Sequence, residues 1–242
     1  MQLTQGRAQQ PLVTFYDDAT GERQEFSRRT FDNWVAKTAN LLVEGLDAEP
    51  GGRVVLDLPA HWQTAVWVYA AWAAGQTVVL SPTGEEDGVW VTDDPSRAPG
   101  SAAEVVGLSL DAMGAPLEGA PAWVTDYAVE VRAYGDRFSG HREADPALVV
   151  TNTTFSRSQL DADIVTFTKR HGITGTDRVL VGVAYTTAEA LVSGLLAPLH
   201  AGGSVILCRN IRQDLVTHRA ETERVTAVAG LDASYANVRR VL

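Results

Sequence analysis

Between Asp145 and Leu160 the chain reads Asp-Pro-Ala-Leu-Val-Val-Thr-Asn-Thr-Thr-Phe-Ser-Arg-Ser-Gln-Leu, the stretch with the densest hydroxyl and amide chemistry. Ala147–Val150 is a short apolar run behind a proline, as expected of a buried strand. Thr151, Asn152, Thr153, Thr154 and Ser156 then gather five polar side chains before Arg157, and an amphipathic segment opens at Leu160. A polar turn between the carboxyl end of a strand and a helix is where α/β proteins hold ligands. These six residues are therefore the candidate ligand-binding set. Yet the turn has no glycine to bring backbone N–H groups close to an anion, and no lysine to neutralise it. Strand-end capping and turn bonding explain the same residue types more simply.

Other residues offer less. No Gly-x-Gly-x-x-Gly, Walker-type loop, nucleophile elbow or His-Glu-x-x-His is present. His61, His141, His171, His200 and His218 are scattered without metal-ligand spacing and read as surface or helix-end residues. Asp93-Asp94 and Glu85-Glu86-Asp87 fit solvated turns better than a cation site. Thr186-Thr187 with Glu189 reads as a helix N-terminus. The one cysteine, Cys208, ends the apolar run Val205–Leu207 and reads as a small core residue. No catalytic residue and no metal ligand is expected.

The elements that position these residues follow from periodicity. Leu12–Tyr16 and a return strand ending at Phe26 precede a helix whose Phe31, Trp34, Val35, Leu41 and Leu42 share one face. Arg53–Leu58 is a strand closed by Pro59, and His61–Ala74 a helix apolar nearly all round, so buried between layers. Strands follow at Thr77–Leu80, Val89–Thr92 and Glu104–Leu110, then a short element within Trp123–Tyr134. The later part alternates helix Leu160–His171, strand Arg178–Ala184, helix Thr187–His200 and strand Ser204–Leu207. Helix Asp214–Glu223, strand Val225–Ala229 and a terminal helix Ser234–Leu242 complete it. The expected layout is a flexible N-terminus (1–11), a first α/β lobe (12–134), a charged linker (135–146) and a second lobe (147–242).

The lobes repeat one another. Phe26-Ser27-Arg28 returns as Phe155-Ser156-Arg157, Gly52-Arg53-Val54-Val55-Leu56 as Asp177-Arg178-Val179-Leu180-Val181, and Ala74-Gly75 as Ala201-Gly202. Three features in matched order predict two similar parallel-sheet lobes, layered αβα.

Over 242 residues the formal net charge is −10, which argues against nucleic acid and against an anionic membrane surface. The N-terminus lacks an apolar leader core, and no apolar run is long enough to span a bilayer. With a single cysteine, the expectation is a cytoplasmic protein.

The run Val35–Pro82 holds Gly-Gly-Arg-Val-Val-Leu-Asp-Leu-Pro, Ala-Ala-Trp-Ala-Ala-Gly and Thr-Val-Val-Leu-Ser-Pro, and it resembles the N-terminal region of the adenylate-forming, AMP-binding superfamily of acyl-CoA synthetases. Asp-Pro-Ala-Leu-Val-Val-Thr and Leu-Leu-Ala-Pro-Leu-His-Ala-Gly-Gly-Ser-Val-Ile-Leu are similar to the stretch that follows there. The chain also resembles short, truncated bacterial members of that superfamily. The resemblance implies ATP or AMP with Mg as ligands, and carboxylate activation to an acyl-adenylate. The superfamily's phosphate loop, approximately Thr-Ser-Gly-Thr-Thr-Gly-x-Pro-Lys-Gly, is replaced here by Thr151-Asn152-Thr153-Thr154-Phe155-Ser156-Arg157, shorter and without its Gly or Lys. No Tyr-Gly-x-Thr-Glu segment appears, and by the resemblance the superfamily's C-terminal domain with its lysine would lie beyond Leu242. The leading expectation is thus a non-catalytic binding or scaffold module, covering its apolar surface as a homo-oligomer or with a protein partner. The alternative is a residual nucleotide- or acyl-CoA-binding protein, or an acid–thiol ligase component completed by another chain. The identity of any small-molecule ligand stays open.

Overall fold

The repeat is built twice, with its elements in the same order, in a computed structural model that describes residues 10–84, 86–111, 114–140, 144–231 and 238–242. The first copy runs β1 (Pro11–Asp17), β2 (Glu22–Ser27), α1 (Arg28–Asn40) prolonged by a π-helical turn (Leu41–Gly45), β3 (Arg53–Asp57), α2 (Trp62–Ala73), β4 (Thr77–Leu80) and β5 (Gly88–Thr92). It is extended by β6 (Ala102–Gly107), β7 (Thr125–Asp126) and α3 (Tyr127–Glu130). The second runs β8 (Leu148–Val150), β9 (Thr153–Phe155), α4 (Arg157–His171) and β10 (Arg178–Val181). After β10 come α5 (Ala188–Leu191), a π-helical segment (Val192–Leu196), α6 (Ala197–His200), β11 (Ser204–Arg209), α7 (Gln213–Thr222), β12 (Ala227–Ala229) and β13 (Arg239–Arg240).

Two sheets result. One has six strands in the order β13-β12-β10-β11-β1-β2, the other seven in the order β7-β6-β5-β3-β4-β8-β9. Every pairing is parallel except within the hairpins β1–β2 and β8–β9. The hairpins are exchanged between copies. β1 pairs with β11 of the second copy, Val13 opposite Val205, and β8 pairs with β4 of the first, Leu148 opposite Val78. Sheet membership therefore does not follow a single cut near 135–146. Leu12–Phe15 is buried throughout, as a strand flanked on both edges inside a sheet must be.

The chain divides into two compact units. One takes Asp32–Leu58 and Gln63–Leu160 around the seven-stranded sheet; the other takes the described residues up to Phe31, Pro59–Trp62 and Asp161–Leu242 around the six-stranded sheet. In the first, Trp67 of α2 lies 5.2 Å from the Tyr127 ring, and the Tyr127 hydroxyl pairs with that of Thr38 at 2.7 Å. Both rings are fully buried. Trp72 Nε1 donates to the carbonyl of Ala147 at 2.6 Å, which ties α2 to the start of β8. The segment expected to link the lobes is fastened to α1: Asn40 Nδ2 donates to the carbonyls of Gly135 and Arg137, and Lys37 Nζ to that of Tyr134. In the second unit, Val216 and Ala220 of α7 pack on Leu180, Ile206, Cys208 and Val228.

One expected element is different. The terminal helix Ser234–Leu242 falls partly outside the described residues, and Arg239–Arg240 is a strand parallel to β12. The open edge of β12 takes it up: Arg239 N donates to Thr226 O and Val241 N to Val228 O. Among the described residues no helix is long and apolar enough to cross a membrane.

Candidate functional site

The polar stretch after β8 does not lead straight into a helix. β8 turns back through two residues, Thr151 and Asn152, into β9, with Val150 opposite Thr153, Val149 opposite Thr154 and Leu148 opposite Phe155. Thr151 takes φ of +53°, a left-handed conformation that β-branched residues adopt only under constraint. Thr151, Asn152, Thr153 and Thr154 are exposed, on the turn and on an edge strand.

Ser156 and Arg157 have structural work. Ser156 Oγ accepts from Gln159 N at 3.2 Å while Gln159 Oε1 accepts from Ser156 N at 2.8 Å, a reciprocal capping box at the start of α4. Ser27 does the same duty before α1, accepting from Thr30 N at 3.2 Å, which accounts for the repeated Phe-Ser-Arg. The Arg157 guanidinium lies 4.7 Å from the Trp72 ring, and the Arg157 backbone N–H donates to Asp145 Oδ1 at 3.2 Å. Ser156→Ala is expected to cost about 1 kcal/mol of stability in denaturant titration, and an unchanged midpoint would refute the capping role.

A phosphate cradle of the kind the resemblance implies does not fit this geometry. Two turn residues cannot wrap a triphosphate with backbone N–H groups, and Arg157, the cation of this stretch, lies over the Trp72 indole. Among the described residues no group of three or more His, Cys, Asp or Glu is arranged to hold a metal ion.

In open parallel sheets, ligands also bind where the strand order reverses, at the carboxyl ends. In the seven-stranded sheet that reversal lies between β3 and β5, where Asp57 stands opposite Thr92. The place is filled by the chain's own polar groups. Thr92 Oγ1 donates to Asp57 Oδ2 at 2.9 Å, Arg97 Nε donates to the same oxygen at 2.6 Å, and Arg97 also pairs with Asp93. Asp94 accepts from Ser96, so Asp93-Asp94 serve a turn. Glu86 accepts from Thr83 and Gly84, Asp87 pairs with Arg53 at 2.8 Å, and Glu85 lies outside the described residues. In the six-stranded sheet the reversal lies between β10 and β12, and backbone closes it. Gly182 N donates to Ala229 O at 2.9 Å, and a Cβ on Gly230 would fall 1.9 Å from Val183 Cγ1.

The second unit holds a buried ionic network that the sequence did not announce. Glu223, at the end of α7, accepts from Tyr16 Oη at 2.5 Å, Arg178 Nη2 at 2.5 Å and Arg23 Nη2 at 2.9 Å. Burial alone would raise its pKa, but these three donors overcome it and hold the carboxyl near 2. On the other side of Tyr16, Arg219 lies 4.2 Å from the ring, pairs with Asp18, and donates to Cys208 Sγ at 3.4 Å. Burial pushes the Cys208 thiol up to about 12, so it is an inert core residue at neutral pH. His61 is no surface residue: it is fully buried, with its ring 4.3 Å from Phe15 in an edge-on contact. Burial, aided by the charge of Arg209 and opposed by Asp17, lowers its pKa to about 3. The signal for its burial was its place at the start of the all-round apolar segment His61–Ala74. His171 and His200 do end helices, His218 is exposed on α7, and His141 lies outside the described residues. Thr187 caps α5 through Ala190 N at 3.0 Å.

No family model matches the chain. A protein of Mycobacterium tuberculosis (strain ATCC 25618 / H37Rv) described as a TIGR03089 family protein is 38% identical over 224 residues, 90% of each chain. Among solved structures, the fold is similar to an acyl-CoA synthetase of Brucella canis, with a TM-score of 0.76 and 16% identity over 94% of this chain and 46% of that one. A benzoate CoA ligase from Burkholderia xenovorans LB400 gives a TM-score of 0.73 and 18% identity over 96% of this chain and 49% of that one. A fatty acyl CoA synthetase of Mycobacterium tuberculosis gives 0.71 and 14% over 90% and 46%. The chain thus spans about half the length of these enzymes, with the two-sheet α/β architecture of their N-terminal portion.

Proposed function

The chain belongs to the TIGR03089 family, and from that premise and its acyl-CoA-synthetase-like fold we propose that it is a binding module without adenylation chemistry. The observation that carries this reading is the two-residue connection Thr151-Asn152 between β8 and β9. Forming an acyl-adenylate requires the triphosphate to be held, a metal to be placed and a carboxylate to be aligned. A single oxyanion donor removed typically costs ~10²–10³ in rate, and here the whole cradle is replaced by a hairpin. The fold remains while the chemistry that resides in a loop is gone, which is the usual division between scaffold and site. A homo-oligomer or a protein partner is the expected use of such a module.

ATP–pyrophosphate exchange with a panel of aliphatic and aromatic carboxylates tests it. Exchange at background level is expected for every acid. Saturable exchange that Thr153→Ala or Thr154→Ala abolishes would overturn the proposal and restore the hairpin as a nucleotide site.

A further inference from the structure

Few large apolar side chains are exposed among the described residues: Val43, Trp123, Val129 and Val165. Two of these belong to one corner of the first unit, around the edge strand β7. Trp123 is 60% exposed and Val129 53%. A lone exposed valine is ordinary, but the tryptophan stands apart from its kind. Trp62, Trp67, Trp72 and Trp90 are fully buried and Trp34 is half-buried.

The corner is fixed from within. Leu117 and Val124 both pack on Gly107 of β6, where a Cβ would fall 2.6 Å from Leu117 Cδ2 and 2.8 Å from Val124 Cγ1. Val124 N donates to Pro121 O at 2.9 Å and closes the turn that carries Trp123. The Asp126 carboxylate accepts from Leu117 N at 2.8 Å, Ala128 N at 2.9 Å and Val129 N at 3.3 Å, which ties the loop to α3. Trp123, Val129, Glu118 and Glu130 are thus each at, or one residue from, an anchored point. All four are exposed. Apolar surface held in place beforehand costs little ordering when something docks on it, and tryptophan is the commonest anchor at such sites.

We infer that this corner docks a segment of a partner protein that is apolar and basic, with Trp123 as its anchor. Charge selects that occupant over a second copy of the chain. Between Asp111 and Arg137 stand five carboxylates and two arginines, and Arg132 already donates to Gly114 O at 3.2 Å. A two-fold contact would set this acidic excess against itself, between chains that each carry −10. A segment bearing Lys or Arg beside its apolar side chains answers both features. The inference deepens the binding-module reading and rests on it, yet the two fail separately. Pyrophosphate exchange would overturn the module, whereas the titration below bears on the corner alone.

The probe is a synthetic amphipathic leucine–lysine helix without tryptophan, titrated into the whole chain while tryptophan emission is followed. Saturable binding with a blue shift is expected, weakening as salt rises. Trp123→Ala is expected to weaken binding by about tenfold or more and to abolish the shift, with an unchanged Tm because the side chain is exposed. Val129→Ser is expected to weaken it less, and Val165→Ser, an exposed valine of the other unit, to leave it unchanged. The inference fails if the peptide does not saturate, if Trp123→Ala and Val129→Ser bind as tightly as the parent, or if Val165→Ser loses as much. Equal binding of the leucine–glutamate counterpart would overturn the basic partner. A dimer by light scattering that Trp123→Ala dissociates would show a second copy on this face instead.

Discussion

Asp18→Ala is expected to lower the unfolding free energy by about 3–5 kcal/mol, the cost of leaving one member of a buried ion pair alone. The Asp18 side chain is 3% exposed and that of Arg219 7%. Asp18 also accepts from Arg212 N at 2.8 Å, so the loss reaches the backbone just before α7. What remains for Arg219 is the face of Tyr16 and the Cys208 sulfur, a cation–π contact and a weak acceptor. Neither repays the desolvation of a full charge. Replacing both partners, Asp18→Ala with Arg219→Met, is expected to be milder than Asp18→Ala alone, because no buried charge is then stranded. Urea titration of the three variants checks this. A loss below about 1 kcal/mol for Asp18→Ala would show that Arg219 reaches water and that the pair stabilises little.

The second large effect is acid sensitivity through His61. Its pKa is held at about 3 in the folded chain, against an ordinary value of 6.5. A depressed folded pKa means that the unfolded chain binds the proton more readily. The stability this histidine contributes is complete above about pH 6.5 and is lost as pH falls toward 3. At pH 4 the loss is on the order of 3 kcal/mol. Glu223 adds a second, lower window: its folded pKa of about 2 lies below the ordinary 4.5, so its share is lost only below that value. The decline between pH 6.5 and 5 therefore belongs chiefly to His61. Guanidinium titrations across this range should show a slope that His61→Gln flattens. A slope identical in parent and variant would mean that the ring is hydrated or protonated in the folded state.

These effects sit in a network that the sequence shows poorly, whereas the sheets were legible. Apolar β-branched runs at Arg53–Asp57, Thr77–Leu80, Arg178–Val181 and Ser204–Arg209 mark parallel strands buried on both faces. The all-round apolar pattern of α2 likewise announced its burial. The hairpin at Thr151-Asn152 escaped because its turn lacks the glycine that marks two-residue loops, and because β9 is three residues of exposed or half-exposed side chains. Ser156 could have been placed from the Ser-x-x-Gln spacing, which is a capping box when a helix follows. The tie of Tyr16 to Glu223 joins residues nearly a full chain apart, and no local periodicity carries such a pairing.

The exchanged hairpins bear on how the chain acquires its structure. In a sequential α/β protein each strand meets its neighbour soon after synthesis, and contacts stay local. Here β1 waits for β11, since Val13 has no parallel partner until Val205 has emerged. Until then β1–β2 is an isolated two-stranded ribbon, and such ribbons are marginal in water. The six-stranded sheet thus closes across nearly the whole chain, a topology of high contact order that favours slow completion. Severing the chain between the copies would leave β4 and β11 with open edges and hand each fragment the hairpin that the other needs. Such fragments are complementary halves that must meet to fold.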